Sequence, residues 1–291
     1  MSLLKKIVLL ILLIFIAGWG LVKLALPKNK PADDSWVKVE KQLIPDNMTV
    51  TDTDTVLMIH GFAGSPFDFK PLAVKLTNLG YRVVLPTTPG QLNQDYSSDY
   101  HDYQPEYYIN WINNLVSNEI KKSNGRVYLA GFSMGGTLST IAAVSNKIDK
   151  LILIAPFYSL TTANDFIWKS SHWLSKIING VPNLTLGAIN DPKGDAEYYP
   201  GSEVIRLDAY DSLERLAQTA VKCIPEIEVP ILVLGSKNDK VASFEYTKEL
   251  FNSNKNAKII EYEKSNHVLL YDYDKESAIS NIVLFLEKDK D

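Results

Sequence analysis

The pentapeptide Gly131-Phe132-Ser133-Met134-Gly135, followed by Gly136, has the spacing G-x-S-x-G. Arg126 to Gly131 before it reads as a strand, and Ser133 to Ser145 as a helix of small residues. A chain that turns sharply from strand to helix forces its turning residue into strained backbone. Glycines two before and two after are needed there because side chains would collide with neighbouring backbone. The Ser133 oxygen is then held above the sheet at a helix N-terminus, where backbone amides favour developing negative charge. That is the setting of a nucleophile. The plainer reading is a serine that caps a helix.

A serine hydroxyl needs a base. Only four histidines exist: His60, His101, His172 and His267. His60 sits at a strand end, and His101 and His172 lie in a loop and in an irregular interval. His267, in Ser265-Asn266-His267-Val268-Leu269, follows the last strand-like run and precedes the last helix, so it falls on a loop at the carboxyl edge of a sheet. An imidazole acting as base needs an acid to fix its tautomer and stabilise its charged form. Asp239 follows the run Pro230 to Gly235 directly; Asp208, Asp211, Asp272 and Asp274 compete but follow no core strand so closely. His60-Gly61-Phe62-Ala63-Gly64-Ser65-Pro66 follows another core strand and opens onto a helix. Its glycines let a backbone amide point into a site. The amides of Phe62 and Met134 are the expected oxyanion donors, and His60 is expected to be structural.

The elements that must position these groups alternate. Thr55 to Ile59, Tyr81 to Leu85, Arg126 to Gly131, Lys150 to Ala155, Pro230 to Gly235 and Lys258 to Tyr262 read as strands. Asp68 to Leu79, Pro105 to Lys122, Ser133 to Ser145, Phe244 to Phe251 and Lys275 to Glu287 read as helices, the first stopped by Gly80. Such alternation predicts an α/β fold with a mostly parallel sheet covered on both faces. Phe157 to Glu228 breaks the rhythm with an aromatic-rich segment (Phe157, Tyr158, Phe166, Trp168, Trp173) and turn-rich pieces, and is read as a cap inserted over the site at about 157–228. The aromatics also suit a plainer role, attaching the insert to the core.

With four segments in this order (Leu57 to Pro66, Gly131 to Gly136, Gly235 to Asp239 and Ser265 to Leu269), the chain resembles the α/β-hydrolase superfamily, and within it the bacterial carboxylesterase and monoacylglycerol-lipase-like group. The resemblance runs from Thr55 to Glu287. It implies the chain order serine, acid, histidine, ester hydrolysis through an acyl-enzyme, no cofactor, and a small cap over an acyl pocket; no metal site is expected. Pro89-Gly90-Gln91-Leu92 stands where members often carry Gly-His-Gly, and the loop beyond is rich in tyrosine and aspartate (Tyr96, Asp99, Tyr100, Asp102, Tyr103). The residues leave open acyl transfer, amide or thioester cleavage on the same three groups, and a non-catalytic surface-binding protein.

Composition sets the remaining bounds. Apolar residues make up 46% of 291 positions, enough for a sizeable core. The net charge of -4 gives a nucleic-acid partner no electrostatic support. Residues 1–30 carry five lysines and no acid, which leaves 25 basic and 34 acidic residues and a net charge of -9 beyond them. Cys223 is the one cysteine, so an internal disulfide and a multi-cysteine zinc site are excluded. Ile7 to Val22 is an unbroken run of apolar residues and glycines after Lys5 and Lys6, about 24 Å long as a helix. It predicts a transmembrane anchor at 1–26, with a cleaved signal peptide as the alternative. A polar tether at 27–35 and a hydrolase domain at 36–291 would follow, held at the cell membrane with the catalytic domain outside.

Overall fold

Four apolar runs, each buried along its whole length, form the centre of a mixed sheet. The structure, a computed structural model, describes residues 36, 41–46, 48–90, 104–161, 180–182, 188–199, 201, 204–206 and 209–288, all within one compact unit, Asp34–Asp291. The strands are β1 (Lys41–Leu43), β2 (Thr55–Ile59), β3 (Arg82–Leu85), β4 (Val127–Phe132), β5 (Lys150–Ile154), β6 (Gly180–Pro182), β7 (Val204–Arg206), β8 (Ile231–Ser236) and β9 (Ala257–Tyr262). The helices are α1 (Lys70–Asn78), α2 (Pro105–Lys122), α3 (Met134–Ser145), α4 (Pro192–Glu197), α5 (Ala209–Cys223), α6 (Phe244–Phe251) and α7 (Lys275–Glu287). Among the described residues, seven strands form one sheet in the order β1-β3-β2-β4-β5-β8-β9, parallel except for β1 against β3. β6 and β7 pair separately as an antiparallel ribbon.

The core divides by the two-residue period of the strands. Val56, Met58, Tyr128, Ala130, Ile152, Ile154, Leu232 and Leu234 face one layer, with Leu72 and Leu76 of α1 and Ile279, Ile282 and Leu286 of α7. Leu57, Ile59, Leu129, Leu151, Leu153, Ile231 and Val233 face the other, with Ile112 and Val116 of α2, Leu138 and Ile141 of α3, and Leu216 of α5. Each such side chain contributes on the order of 1.5–3 kcal/mol by leaving water. Such two-sided burial is why these strands read as continuous apolar runs. A buried pair, Arg82 Nη2 to Glu119 Oε2 at 2.7 Å, ties β3 to α2, and Lys122 reaches the second Glu119 oxygen at 2.8 Å. From β2 the chain crosses to β3 on one side, and from β4 to β5 on the other. The crevice beyond the carboxyl ends of β2 and β4 is therefore the switch point of the sheet, where open α/β sheets bind ligands.

Several expectations need correction. The α/β class with a mostly parallel sheet stands, but its expected transmembrane helix does not: no helix among the described residues is long and apolar enough to cross a membrane. The longest, α2, carries Glu106, Glu119, Lys121 and Lys122. The run Ile7 to Val22 and the tether at 27–35 lie outside the described residues. The membrane anchor and the cell-membrane location built on it are not retained. The helix expected from Asp68 opens instead as a 3-10 turn, Pro66–Phe69, and α1 starts at Lys70 with Pro71 in its first turn, where a missing N–H costs nothing. Gly80 follows at φ 90, a left-handed stop. The interval 157–228 is also not uniform, because α5 packs its Leu213, Leu216, Ala217 and Ala220 into the core layer beside α3. Phe157 and Tyr158 are buried in that layer too, while Phe166, Trp168 and Trp173, and the tyrosine-rich loop from Tyr96 to Tyr103, lie outside the described residues.

Candidate active site

β4 ends at Phe132 and α3 begins at Met134, so Ser133 alone makes the turn, at φ 53 and ψ -119. A non-glycine residue with positive φ costs on the order of 1–3 kcal/mol and persists only where its surroundings enforce it. They do so by contact. A Cβ on Gly131 would fall on the Gly135 carbonyl, one on Gly135 on the Ile59 carbonyl of β2, and one on Gly136 would lie 2.8 Å from Pro156 Cβ. The Ser133 amide donates to the Ile154 carbonyl (3.1 Å), and the Ser133 carbonyl accepts from the Phe157 amide (3.1 Å). Thr137 Oγ1 donates to the Phe157 carbonyl at 2.5 Å, clamping the first turn of α3 to the strand beyond β5. Ala63 (φ 54) and Ala155 (φ 42) are the other non-glycine residues with positive φ among those described, and both lie on loops at this edge of the sheet.

His267 and Asp239 come from two further loops. His267 Nε2 lies 3.0 Å from Ser133 Oγ, and His267 Nδ1 lies 2.7 Å from Asp239 Oδ2. All three residues are buried. The second Asp239 oxygen accepts from the Val241 and Ala242 amides at 2.8 and 2.9 Å, which fixes the carboxylate from behind. Asn266 Oδ1 accepts from the Lys240 and His267 amides, both at 2.9 Å, and so joins the acid loop to the histidine loop. Asp272, also buried, accepts from the amides of Asn190, Asp191, Asn266 and Tyr273 at 2.7–2.9 Å. The Phe132 ring packs against the imidazole with 5.1 Å between centroids.

The loop after β2 closes the site. His60 is buried, and its Nε2 accepts from the Thr88 amide (2.9 Å), so Nδ1 carries the proton donated to the Gly61 carbonyl (2.9 Å). Burial pushes His60 down to about 4, which keeps it neutral. The Phe62 ring packs on Tyr210 of α5 at 5.5 Å. The Met134 amide stands at the first position of α3, one of the donors a helix leaves without an internal partner.

Of the residues singled out in the sequence, Ser133, His267 and Asp239 meet in one hydrogen-bonded row. Phe62 and Met134 sit on the loop and helix end beside Ser133. His101, His172 and Asp208 lie outside the described residues, and Asp211 is exposed on α5. Asp272 and Asp274 bind backbone amides around His267 instead of its ring, Asp274 accepting from the Lys264 and Ser265 amides. Sequence reasoning missed Asp68, a buried acid within the His60 loop, whose only signal was an aspartate close after the glycines. Among the described residues no group of three or more His, Cys, Asp or Glu is placed to hold a metal ion.

Comparison with known proteins places the chain among hydrolases. The family model described as "Serine aminopeptidase, S33" (Hydrolase_4) matches residues 52–274. The chain is 24% identical to a thermostable monoacylglycerol lipase of Bacillus sp. (strain H-257) over 80% of this chain and 90% of that one. It is 22% identical to a carboxylesterase of Bacillus subtilis (strain 168) over 85% of this chain and 98% of that one. Among solved structures, a soluble variant of the Saccharomyces cerevisiae monoglyceride lipase, in complex with a substrate analogue, shares the fold with a TM-score of 0.68 at 17% identity, covering 86% of this chain and 91% of that one.

Proposed function

The chain belongs to the serine aminopeptidase S33 family of hydrolases, and from that premise we propose that it cleaves carboxylic esters, acyl-glycerols or similar lipid-like esters, through an acyl-enzyme on Ser133. The observation that carries this reading is the row Ser133 Oγ, His267, Asp239 at 3.0 and 2.7 Å. The Asp239 carboxylate only accepts, so it selects the imidazole tautomer with the proton on Nδ1 and leaves Nε2 free to take the Ser133 proton. The Ser133 oxygen attacks the ester carbonyl, and the amides of Phe62 and Met134 receive the oxyanion. His267 passes its proton to the departing alcohol. Water, deprotonated by the same nitrogen, then releases the acid and restores Ser133. These steps need no cofactor.

The lipid-like substrate is supported by the two lipase relatives named above, which act on acyl-glycerols. The interval 157–228 is read as a functional insert, because a long break in an α/β rhythm is usually functional. The family description names an aminopeptidase, which favours amide cleavage as the second reading. Purified protein is tested on 4-nitrophenyl esters from acetate to long acyl chains, on monoacylglycerol and on aminoacyl anilides, with Ser133→Ala as control. We expect ester turnover that rises with acyl length and falls by about 10³-fold or more in the variant. A variant near wild type removes the Ser133 assignment, no preference over acetate removes the lipid-like substrate, and faster anilide cleavage selects the second reading.

A further inference from the structure

The loop that carries Phe62 is gripped at both faces of one residue. A peptide unit is planar, so the Phe62 N–H direction is set by the Gly61 carbonyl at the other end of that unit. His60 Nδ1 and the Gly64 amide hold that carbonyl, at 2.9 and 3.1 Å. The Gly61 amide, on the preceding unit, donates to Asp68 Oδ2 at 3.0 Å. Asp68 is 2% exposed, and its other oxygen accepts from the Tyr198 hydroxyl at 2.9 Å. Tyr198 follows α4 in the insert, and the same stretch touches both site loops. A Cβ on Gly201 would fall on the Gly64 carbonyl, and one on Gly194 on the Tyr271 carbonyl. The Tyr271 hydroxyl in turn donates to the Phe67 carbonyl at 2.7 Å, and Val268 donates to Ala188 at 3.1 Å. Asp68 thus stands where the oxyanion loop, the insert and the histidine loop meet.

We propose that Asp68 is a positioning residue for the reaction at Ser133: its buried carboxylate holds Gly61 by its amide, and so fixes from one side the residue whose carbonyl aims the Phe62 donor. The proposal rests on the ester-hydrolase reading above. Burial pushes the Asp68 carboxyl up to about 6, while the Gly61 and Ser65 backbone, the Tyr198 hydroxyl and positive charge at His267 each favour the anion. An amide bonded to a carboxylate is held more strongly than one bonded to a neutral oxygen, so the anion grips Gly61 more firmly than an uncharged acceptor would. The titratable groups facing Asp68 are Tyr198 from the insert and His267 and Tyr271 from the histidine loop. Burial drives both tyrosines well above the ordinary phenol range, so they remain neutral. An asparagine could accept from Gly61 and donate to Tyr198, which isolates the charge from the hydrogen bonds. A charge that an asparagine could spare the fold, kept in a buried place beside the site, points to use in the reaction.

The test is the pH profile of kcat and KM on a 4-nitrophenyl ester for the full chain, Asp68→Asn and Tyr198→Phe. We expect Asp68→Asn to lower kcat about 10-fold with little change in KM. The acid limb of wild-type kcat/KM should include a fall near pH 6 as Asp68 takes up its proton, and that part of the fall should be missing from Asp68→Asn. Tyr198→Phe removes a donor that favours the anion, so its acid limb should move to higher pH. A folded Asp68→Asn protein with wild-type kcat and a wild-type acid limb overturns the proposal. If that variant does not fold, an unshifted limb in Tyr198→Phe overturns it. No ester turnover by the wild type removes the ester-hydrolase reading and this proposal together, whereas an active wild type with unaltered variants removes this proposal alone.

Discussion

Two regions meet at Ser133 and are held by different physics. The turn from β4 into α3 is held by shape: backbone packs so closely on backbone that three glycines have no room for a Cβ, and Ser133 keeps a strained φ because nothing around it can move. The loops that bring Asp239 and His267 are held by polar groups. Asp239, Asp272, Asp274 and Asn266 between them accept from backbone amides along 190–191, 240–242, 264–267 and 273. A close-packed turn fixes a nucleophile to a fraction of an ångström and tolerates no added atom. A loop held by carboxylates tolerates volume and depends on charge and acceptor number.

The difference is sharpest at Gly135. A Cβ there collides with the Ile59 carbonyl and lies 2.7 Å from that of His60, so β2 itself would have to shift. Gly135→Ala should destabilise the fold by about 4 kcal/mol, more than an added core methyl usually does, because backbone has to yield. Urea unfolding measures this. A variant as stable as wild type would mean that the turn is not held by contact and would erase the contrast.

That contrast also decides what could be read without coordinates. Steric exclusion writes itself into sequence as obligatory glycines, so Gly131, Ser133 and Gly135 were legible, and strand and helix periods placed α2, α6 and α7 at their observed bounds. Amides carry no residue identity. A carboxylate that binds only backbone therefore leaves no pattern, and Asp272 could be weighed only as a rival acid for His267. Asp68 left no local pattern either, because it binds the Gly61 amide and the hydroxyl of Tyr198, which lies far along the chain. The helix α5 was legible in principle, since Leu213, Leu216, Ala217 and Ala220 recur at helical spacing, but it was absorbed into a single irregular interval. β1 is three residues long with mixed burial, too short to show a period.

Two buried groups flanking Gly61 give the polar side of the comparison a pH signature. His60 is lowered from an ordinary 6.5 to about 4, so between those values the unfolded chain binds the extra proton and stability rises with pH. Asp68 is raised from 3.8 to about 6, so there the folded chain binds the extra proton and stability falls as pH rises. Each shift corresponds to about 3 kcal/mol, and the two oppose one another over nearly the same window. Asp68→Asn removes one of them. The difference in unfolding free energy between wild type and variant should move by about 3 kcal/mol in favour of the wild type from pH 7 to pH 3, His60 being common to both. A difference that does not change with pH would place the Asp68 titration elsewhere.

Asp272→Asn gives the smallest expected effect and the most direct reading of loops held by acceptors. Each Asp272 oxygen accepts two amides, Asn190 and Asn266 on one, Asp191 and Tyr273 on the other. An asparagine of nearly the same volume keeps one oxygen and turns an NH2 group toward the other two amides, so in either orientation two buried donors face a donor. The fold should lose about 2 kcal/mol. Asn266 joins the acid and histidine loops, so relaxing its amide lets His267 drift from Ser133, and kcat should fall several-fold with KM nearly unchanged, since no ester-binding group is touched. Loss of stability with kcat intact would mean that Asn266 and Asp239 suffice to aim the imidazole. Both quantities unchanged would mean that the loop, like the β4 turn, is held by its packing.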